Sequence, residues 1–265
     1  MSERAASDAS TTPILTVTRG RAHLRLNRPR EHNRIEPADL AALVDLFDRI
    51  DADTSVRTLV ITGTGKSFSS GFHIGALAER KQEPSTPHDP DAFEKAVDRL
   101  EALRVPTIAA LNGGVYGGAT DLALACDFRL GVPGMRMFMP AARLGIVYYP
   151  SGLGRYVTRL GLAAAKKMFL TAEPIEADEL LRVGYLDEIV PADQLATRAE
   201  TLAATIAANA PLAIAATKRA LNQVAAGKLD RDALRDARRQ CATSADHREG
   251  LLAWAEKRTP VFHGE

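Results

Sequence analysis

The amino-acid sequence predicts an α/β fold followed by a helical C-terminal region. Up to about residue 190, short β-branched or alternating apolar runs alternate with stretches of helical spacing, a pattern typical of α/β proteins. From about residue 192 the chain becomes rich in Ala and Leu, and one helical segment follows another. We therefore predict three parts: a disordered leader at residues 1–12, an α/β core at residues 13–191 and a helical region at residues 192–265.

The first half of the core begins with a hairpin and a helix. Two apolar runs around Arg19–Gly20–Arg21 predict paired strands between residues 14 and 26. Pro37, followed by apolar residues at helical spacing, predicts a helix that begins there. The next predicted elements are a buried strand at residues 58–63, a short helix near residues 74–81 and a proline-rich mobile loop at residues 81–90.

The second half of the core centres on a strand, a glycine-rich turn and an apolar helix. A predicted helix at residues 91–103 leads to a strand at residues 107–111, and a further helix is predicted at residues 118–126. Shorter strands are expected in the segments DFRLGV and MRMFMP. In the C-terminal region, the expected breaks between helices are at Pro211, Gly227 and Gly250.

The glycine-rich turn is the segment that says most about function. Its paired glycines, Gly113–Gly114 and Gly117–Gly118, let a ligand approach the backbone, and the first amides of a helix have no partner within it. Those amides and the helix dipole favour negative charge. Asp121 lies three residues after Gly118, so its carboxylate can share that face of the helix. An oxyanion donor beside a possible base predicts enolate chemistry, although a first-turn acid can also simply stabilise its helix.

Composition limits the classes of partner. The formal net charge of +1 over 265 residues gives no basic field suited to nucleic acid. The two cysteines lie far apart, and no CxxC or HxxxH spacing indicates a metal site. No segment approaches eighteen apolar residues, and the polar N-terminus has no apolar signal segment. We expect a cytoplasmic protein that binds neither a membrane, nor nucleic acid, nor a metal.

Seven segments, in this order and spacing, resemble the enoyl-CoA hydratase/isomerase family (the crotonase superfamily) over nearly the whole chain. They are LRLNRPREHNRI, LVITGTGKSFSSGFHI, NGGVYGGATDLALACDFRL, RLGIVYYPSGLGRYVTRLG, ADELLRVGYLDEIVP, TKRALN and EKRTPVFHG. The resemblance implies a crotonase-like α/β fold, a spiral of ββα units forming two nearly perpendicular sheets. It also implies C-terminal helices that build a homotrimer or a dimer of trimers. The implied substrate is an acyl-CoA thioester, with no separate cofactor because coenzyme A is part of the substrate.

The resemblance also assigns roles to individual residues. The amides of Phe72 and Gly118 are implied to stabilise the thioester enolate, each by roughly 3–4 kcal/mol in a site that excludes water. Asp121 takes the position of the first of two glutamates found in many hydratases. We expect desolvation beside an apolar acyl pocket to raise its pKa, which suits acid/base work. The residues implied to contact CoA are Arg28, Phe72, His73, Ile74, Gly75 and Gly118.

Several departures from the family pattern concern the reaction. Ala141 stands where the second glutamate belongs, and His73 replaces a common aspartate. Tyr148 aligns with a tyrosine used by some decarboxylases of the superfamily, and Tyr149 with a position that holds a catalytic aspartate in other members. His73 could instead be structural, and the two tyrosines could pack with hydrogen-bonded hydroxyls.

The leading prediction is hydration or dehydration of a 2-enoyl-CoA, with Asp121 as acid and base. A mechanism that adds water with the help of two carboxylates would have only one of them here. We therefore expect weak hydration of crotonyl-CoA. Two alternatives stay open. Decarboxylation or double-bond isomerisation would be aided by Tyr148, and a CoA-ester-binding protein with little turnover would explain Ala141.

Overall fold

The computed structural model describes residues 12–73, residue 75 and residues 89–265. The predicted leader lies outside the described residues except for Thr12. The same is true of the predicted short helix near residues 74–81, of which Gly75 alone is described and is helical. Residues 81–88 of the predicted loop also lie outside the described residues.

Nine strands occur among the described residues. In chain order they are β1 (Ile14–Thr18), β2 (Arg21–Leu26), β3 (Thr58–Gly63), β4 (Thr107–Leu111), β5 (Val115–Tyr116), β6 (Phe128–Gly131), β7 (Arg136–Phe138), β8 (Ile175–Glu176) and β9 (Glu188–Ile189). One sheet contains β1, β2, β3, β4, β6 and β9 in that order, and a smaller sheet contains β5, β7 and β8. In the larger sheet, β1 and β2 are antiparallel and every later pair is parallel. The predicted hairpin and the predicted strands are confirmed.

The helices are also introduced in chain order. They are α1 (Pro37–Ala52), α2 (Ala92–Glu101), α3 (Gly118–Ala125), α4 (Pro150–Leu160), α5 (Leu162–Lys166), α6 (Ala177–Arg182), α7 (Leu195–Ala207), α8 (Pro211–Ala225), α9 (Arg231–Thr243) and α10 (Ala245–Glu256). A π-helical turn at Lys167–Thr171 continues α5, and 3₁₀ turns occur at Pro29–Glu31 and Ala141–Leu144. Among the described residues, no helix alone has the length and apolar composition to cross a membrane; α7 and α8, bent by 106°, meet that test only as a pair.

Most predicted helix limits are confirmed within two residues, and one predicted break is wrong. Pro211 begins α8, and Gly227 follows its end with a φ of +68°. Gly250, however, lies inside α10, and the break before that helix falls at Ser244. The Ser244 hydroxyl accepts a hydrogen bond from the His247 N–H at 3.0 Å, which caps α10. Ser244 thus sets the break between α9 and α10. A glycine within a helix costs only about 1 kcal/mol and need not end it.

From β4 to β7, successive strands alternate between the two sheets, as the predicted ββα spiral requires. β4 belongs to the larger sheet, β5 to the smaller, and α3 follows; β6 and β7 repeat this alternation. Two isolated bridges, Ile35 to Phe72 and Ser69 to Val115, add earlier parts of the chain to the smaller layer. As a result, residues 69–72 run beside residues 115–118, although more than forty positions separate them in sequence.

Candidate active site

The two halves of the predicted oxyanion site meet at a junction of glycine backbones. Gly71 has a φ of +88° and Gly117 a φ of +55°, conformations that residues with a side chain rarely adopt. A Cβ on Gly71 would lie 2.4 Å from the Tyr116 carbonyl oxygen and 3.0 Å from the Gly118 nitrogen. Glycine is therefore required at position 71, and its close approach places residues 71–72 against the N-terminus of α3.

Gly118 supplies the first amide of α3. Within the described part of the chain, this N–H has no acceptor, whereas the preceding Gly117 N–H donates to the Phe138 carbonyl at 2.8 Å. A Cβ on Gly118 would lie 2.6 Å from Cζ of Phe93, so the Phe93 ring covers this glycine. The other residues of α3 are all buried. The helix N-terminus therefore lies in surroundings of low polarity, where an amide donor stabilises negative charge most effectively.

Phe72 is held in place by a short parallel pairing with Ile35. The Ile35 N–H donates to the Gly71 carbonyl at 2.9 Å, and the His73 N–H donates to the Ile35 carbonyl at 3.0 Å. In this pairing the peptide groups of Phe72 itself point away from Ile35. The Phe72 ring packs edge-on against Phe93, with 5.7 Å between the ring centroids. Phe72 and Gly118 thus flank the same ring, and their action as paired donors stays a prediction.

Asp121, one turn into α3, is completely buried and hydrogen-bonded. Its Oδ2 accepts hydrogen bonds from the Tyr149 hydroxyl at 2.5 Å and from Arg155 Nη1 at 2.7 Å. Its Oδ1 is buried as well and has no partner among the described residues. Burial raises the pKa of Asp121 above its ordinary value, although Arg155 and Tyr149 act in the opposite direction. The predicted direction of this pKa shift is confirmed.

Arg155 on α4 is the partner of Asp121 that sequence reasoning missed. Its side chain is 1% exposed and lies 2.7 Å from Asp121, 2.7 Å from Asp98 and 3.1 Å from Glu101. Burial acts to lower the pKa of Arg155, but Asp121 and Glu101 outweigh it, so the pKa is raised and the guanidinium stays charged. A Cβ on Gly152 would lie 2.9 Å from Asp121 Oδ2. The Gly-x-x-Arg spacing of Gly152 and Arg155 is the feature of the sequence that could have indicated this contact. Such a spacing is too common to identify a partner of Asp121.

Tyr148 and Tyr149 form a stacked pair beside Asp121. Their ring centroids are 4.2 Å apart, and the Tyr148 hydroxyl donates to the Tyr149 hydroxyl at 3.2 Å. Burial raises the pKa of both hydroxyls, so both tyrosines are neutral at physiological pH. Phe93, Tyr156 and Phe169 extend the pair into an aromatic cluster. The expected packing is therefore observed, and catalysis by Tyr148 stays a prediction.

Two residues predicted to contact CoA already have partners within the protein. Arg28 Nη2 donates to both carboxylate oxygens of Asp39, at 3.1 and 3.2 Å. His73 Nδ1 lies 2.8 Å from Glu36 Oε2. These contacts give both side chains a structural role, and their contact with CoA stays a prediction. Ile74 lies outside the described residues, and no contact of Gly75 with CoA is tested.

Ala141 is buried at the start of a 3₁₀ turn. Its carbonyl accepts a hydrogen bond from the Ile146 N–H at 2.9 Å, and its side chain belongs to the hydrophobic core. Position 141 therefore supplies a methyl group, and the implied match of this position to a second glutamate stays a prediction. Within the described residues, Tyr149 and Arg155 are the side chains hydrogen-bonded to Asp121.

Comparison with known proteins agrees with the resemblance. The family model for enoyl-CoA hydratase/isomerase matches residues 17–265. The chain belongs to the enoyl-CoA hydratase/isomerase family. It is 33% identical to the 2,3-dehydroadipyl-CoA hydratase of Escherichia coli (strain K12) over 91% of this chain and 94% of that protein. It is 32% identical to the crotonyl-CoA hydratase of Syntrophomonas wolfei, again over 91% of this chain and 94% of that protein.

Solved structures of the family have the same fold. The enoyl-CoA hydratase from Bacillus anthracis matches with a TM-score of 0.84 at 28% identity, over 96% of this chain and 100% of that chain. The predicted crotonase-like α/β fold with a helical C-terminal region is confirmed. Membership in the enoyl-CoA hydratase/isomerase family also confirms the predicted class, an enzyme of lyase or isomerase type whose substrate is an acyl-CoA thioester.

Proposed function

We propose that this enzyme catalyses the reversible addition of water to a 2-enoyl-CoA. The observation that carries the proposal is the Gly118 N–H, which has no acceptor in the described chain and lies one helical turn before buried Asp121. Hydration needs a donor at the thioester oxygen and a group that exchanges a proton with water and with carbon. The hydratase names of the E. coli and S. wolfei relatives support the same reaction.

In this mechanism the thioester oxygen lies against the Gly118 amide, and the family resemblance adds the Phe72 amide as second donor. As the water oxygen bonds to C3, electron density moves onto the thioester oxygen and an enolate forms. The water proton passes to Asp121, and C2 then receives a proton from it. Phe93, packed over Gly118, keeps the donors away from solvent, which strengthens their interaction with the developing charge.

A survey of CoA thioesters with the purified protein tests this proposal. The thioesters would include crotonyl-CoA, longer 2-enoyl-CoAs, 3-enoyl-CoAs and carboxyacyl-CoAs, with products read by mass spectrometry. We expect 2-enoyl-CoAs to gain the mass of one water. Loss of CO₂, an isomer of equal mass, or binding without conversion as the main result would contradict hydration and support a decarboxylase, an isomerase or a CoA-ester-binding protein respectively.

Two matched variants test the Gly118 donor. Because a Cβ at this position meets Phe93, each variant also carries Phe93→Leu. Gly118→Pro removes the N–H at a helix position that tolerates proline, whereas Gly118→Ala keeps the N–H and adds a comparable Cβ. We expect the proline variant to turn over about 10²–10³-fold more slowly than the alanine variant. Equal turnover by the two folded proteins would contradict the assignment.

We also propose a homotrimer or a dimer of trimers, located in the cytoplasm. Support comes from apolar side chains that the single chain leaves exposed on α8 and α10, including Leu221 at 64%, Leu251 at 61% and Trp254 at 87%. Native mass spectrometry should show three or six copies of the 28.5 kDa chain. A monomer would contradict the assembly, and recovery of the protein in a membrane or periplasmic fraction would contradict the location.

A further inference from the structure

We propose that Tyr148 and Tyr149 form a two-hydroxyl proton relay through which Asp121 exchanges protons with the substrate and its water. The proposal rests on the proposed function, because it assumes that the site forms and protonates an enolate. It assigns contact with the reacting atoms to Tyr148, and connection to Asp121 to Tyr149. Asp121 then holds the proton without touching the substrate.

The first observation is the continuous line of hydrogen bonds. The Tyr148 hydroxyl lies 3.2 Å from the Tyr149 hydroxyl, which lies 2.5 Å from Asp121 Oδ2. Stacking of the rings, with centroids 4.2 Å apart, keeps the two hydroxyl groups side by side. Arg155, at 2.7 Å from the same Oδ2, fixes the carboxylate at the end of the line. The two tyrosines and the carboxylate are thus pre-positioned for proton transfer.

The second observation is burial. Asp121 is 0% exposed, and both of its oxygens are enclosed, one by Tyr149 and Arg155 and the other without any partner in the described chain. The two tyrosines are partly exposed, and the residue before them, Val147, is 91% exposed. Among the described residues, the Tyr149 hydroxyl is the neutral proton-bearing group in contact with the carboxylate, so in the proposed relay a proton reaches Asp121 by way of the tyrosine hydroxyls.

The third observation is the direction of the hydrogen bonds. An ionised carboxylate can only accept, so Tyr149 must donate to Asp121, and the bond between the two hydroxyls must then be donated by Tyr148. Every donor in the line points toward Asp121. In this state the Tyr148 oxygen can accept a proton from the substrate water. After the transfer all the hydrogen bonds point the other way, and Tyr148 can donate a proton to the substrate.

The transfer balances without ionising either tyrosine. When the water oxygen bonds to C3, a water proton moves to the Tyr148 oxygen, the Tyr148 proton moves to Tyr149, and the Tyr149 proton moves to Asp121 Oδ2. The enolate electrons remain on the thioester. The reverse sequence then delivers one proton to C2, so the product contains both hydrogens of the water. Concerted movement fits the raised pKa of both hydroxyls, which disfavours a free tyrosinate.

Three tyrosine-to-phenylalanine variants of the full-length protein test the relay. Tyr148→Phe and Tyr149→Phe each remove one hydroxyl from the line and keep the aromatic packing. Tyr185→Phe is the matched control, because its buried hydroxyl donates to the Thr120 carbonyl at 2.8 Å and is not in the line. We expect kcat for hydration to fall about 10²-fold in each relay variant, with KM within about twofold, and to stay near wild type in the control. Direct action of Asp121 Oδ1 predicts instead that both relay variants stay near wild type.

Two further measurements distinguish the relay from a structural role and from hydration itself. In mixtures of H₂O and D₂O, kcat of the wild type should depend on deuterium content along a curve, because several protons move together; in Tyr149→Phe the curvature should disappear. Exchange of the C2 hydrogens of butyryl-CoA with D₂O reports enolate formation without any water addition.

The outcomes separate the two proposals. If the wild type exchanges these hydrogens but hydrates no 2-enoyl-CoA, hydration is wrong and the relay is judged by exchange alone. Loss of exchange in both relay variants, with the control unaffected, supports the relay. Wild-type exchange and kcat in either relay variant, a linear deuterium dependence in the wild type, or absence of exchange and hydration in the wild type would each overturn it.

Discussion

Two ion pairs, whose acidic members Asp121 and Asp127 lie close together in sequence, differ in how many of their buried polar atoms have hydrogen-bond partners. Asp127, just after α3, accepts hydrogen bonds at Oδ2 from the Thr107 N–H at 2.7 Å and the Thr107 hydroxyl at 3.0 Å. Lys218 on α8 lies 2.7 Å from the same oxygen and also donates to the Val105 carbonyl at 2.8 Å. No atom of either side chain is buried without a partner in the described structure. This pair links α8 of the helical C-terminal region to the α/β core.

The pair of Asp121 and Arg155 is built differently. Arg155 is shared among three carboxylates, and Asp121 keeps one buried oxygen without a partner in the described chain. A buried polar atom without a partner costs free energy, so such atoms are rare in folded proteins. A neutral tyrosine occupies the remaining contact of Oδ2. In these two pairs, the one whose polar atoms all have partners links two regions of the protein, whereas the one that keeps an oxygen without a partner lies beside titratable groups at the candidate site.

The largest expected effect is that of Asp121→Asn on turnover. The amide keeps the shape but cannot take up a proton, so we expect kcat to fall roughly 10²–10⁴-fold with little change in acyl-CoA affinity. Stability should change little, because Arg155 retains Asp98 and Glu101. Asp48→Asn is the matched control, because its exposed carboxylate pairs with Arg99 and not with Arg155, and it should leave turnover near wild type. Steady-state kinetics and thermal unfolding check both; near wild-type kcat in Asp121→Asn would reduce Asp121 to a helix-stabilising residue.

The dependence of kcat on pH tests the role of Asp121 by a second, independent measurement. The proton-accepting form of Asp121 is the carboxylate, and burial raises its pKa above the ordinary value of 3.8. Activity should therefore fall as the pH falls through this raised pKa, so that the acidic limb of the kcat profile lies above pH 3.8. If instead the limb persists unchanged in a residual activity of Asp121→Asn, another group is responsible for it.

The second expected effect concerns stability alone. Lys218→Met leaves Asp127 without its cation in a largely buried position, so the free energy of unfolding should fall by about 3 kcal/mol. Lys167→Met is the control, because it removes an exposed ion pair with Glu179 and should cost under about 1 kcal/mol. Chemical denaturation measures both. Reduced kcat in fully folded Lys218→Met would show that this pair is not purely structural.

Most of the fold near the site could be predicted from the sequence because its signals are local. Apolar runs, the proline that begins α1 and the glycines before α3 depend on neighbouring residues alone, and those elements are confirmed. The break at Gly250 was wrong because a serine cap at Ser244 outweighs an interior glycine in setting a helix limit. The two-residue strands β5, β8 and β9 are too short to show a periodic pattern.

The partners within the site could not be predicted, because they depend on packing between distant segments. Arg155 is thirty-four positions from Asp121. Nothing in the residues around Arg155 indicates that its side chain is buried. The same is true of the Tyr149 hydrogen bond, which spans twenty-eight positions. The sequence could place Asp121 near an amide donor only because both belong to one helix. The groups that hydrogen-bond to that carboxylate come from α4, which carries Arg155, and from Tyr149 just before it.

A third, smaller effect is expected from Arg155→Lys. An ammonium group keeps the charge but cannot reach three carboxylates in fixed geometry, so Asp121 and Tyr149 should be held less firmly. We expect kcat to fall roughly tenfold, equivalent to about 1.4 kcal/mol of activation free energy. Arg159→Lys is the matched control: it weakens an ion pair with Glu101 and should lower stability but not kcat per folded enzyme. Equal loss of kcat in the two variants would point to a general packing defect.

The smallest expected effect is a gain from Ala141→Glu. The unmodified enzyme should hydrate crotonyl-CoA weakly, because position 141 offers only a methyl group where a second carboxylate could hold the water. A glutamate there should raise kcat, but by less than Asp121→Asn lowers it, since a buried alanine leaves little room and a buried carboxylate is costly to ionise. Ala141→Gln is the control of equal size, and only the glutamate should raise kcat. Efficient hydration by the unmodified enzyme, with no gain in Ala141→Glu, would show that Asp121 and its tyrosines already supply both proton-transfer steps.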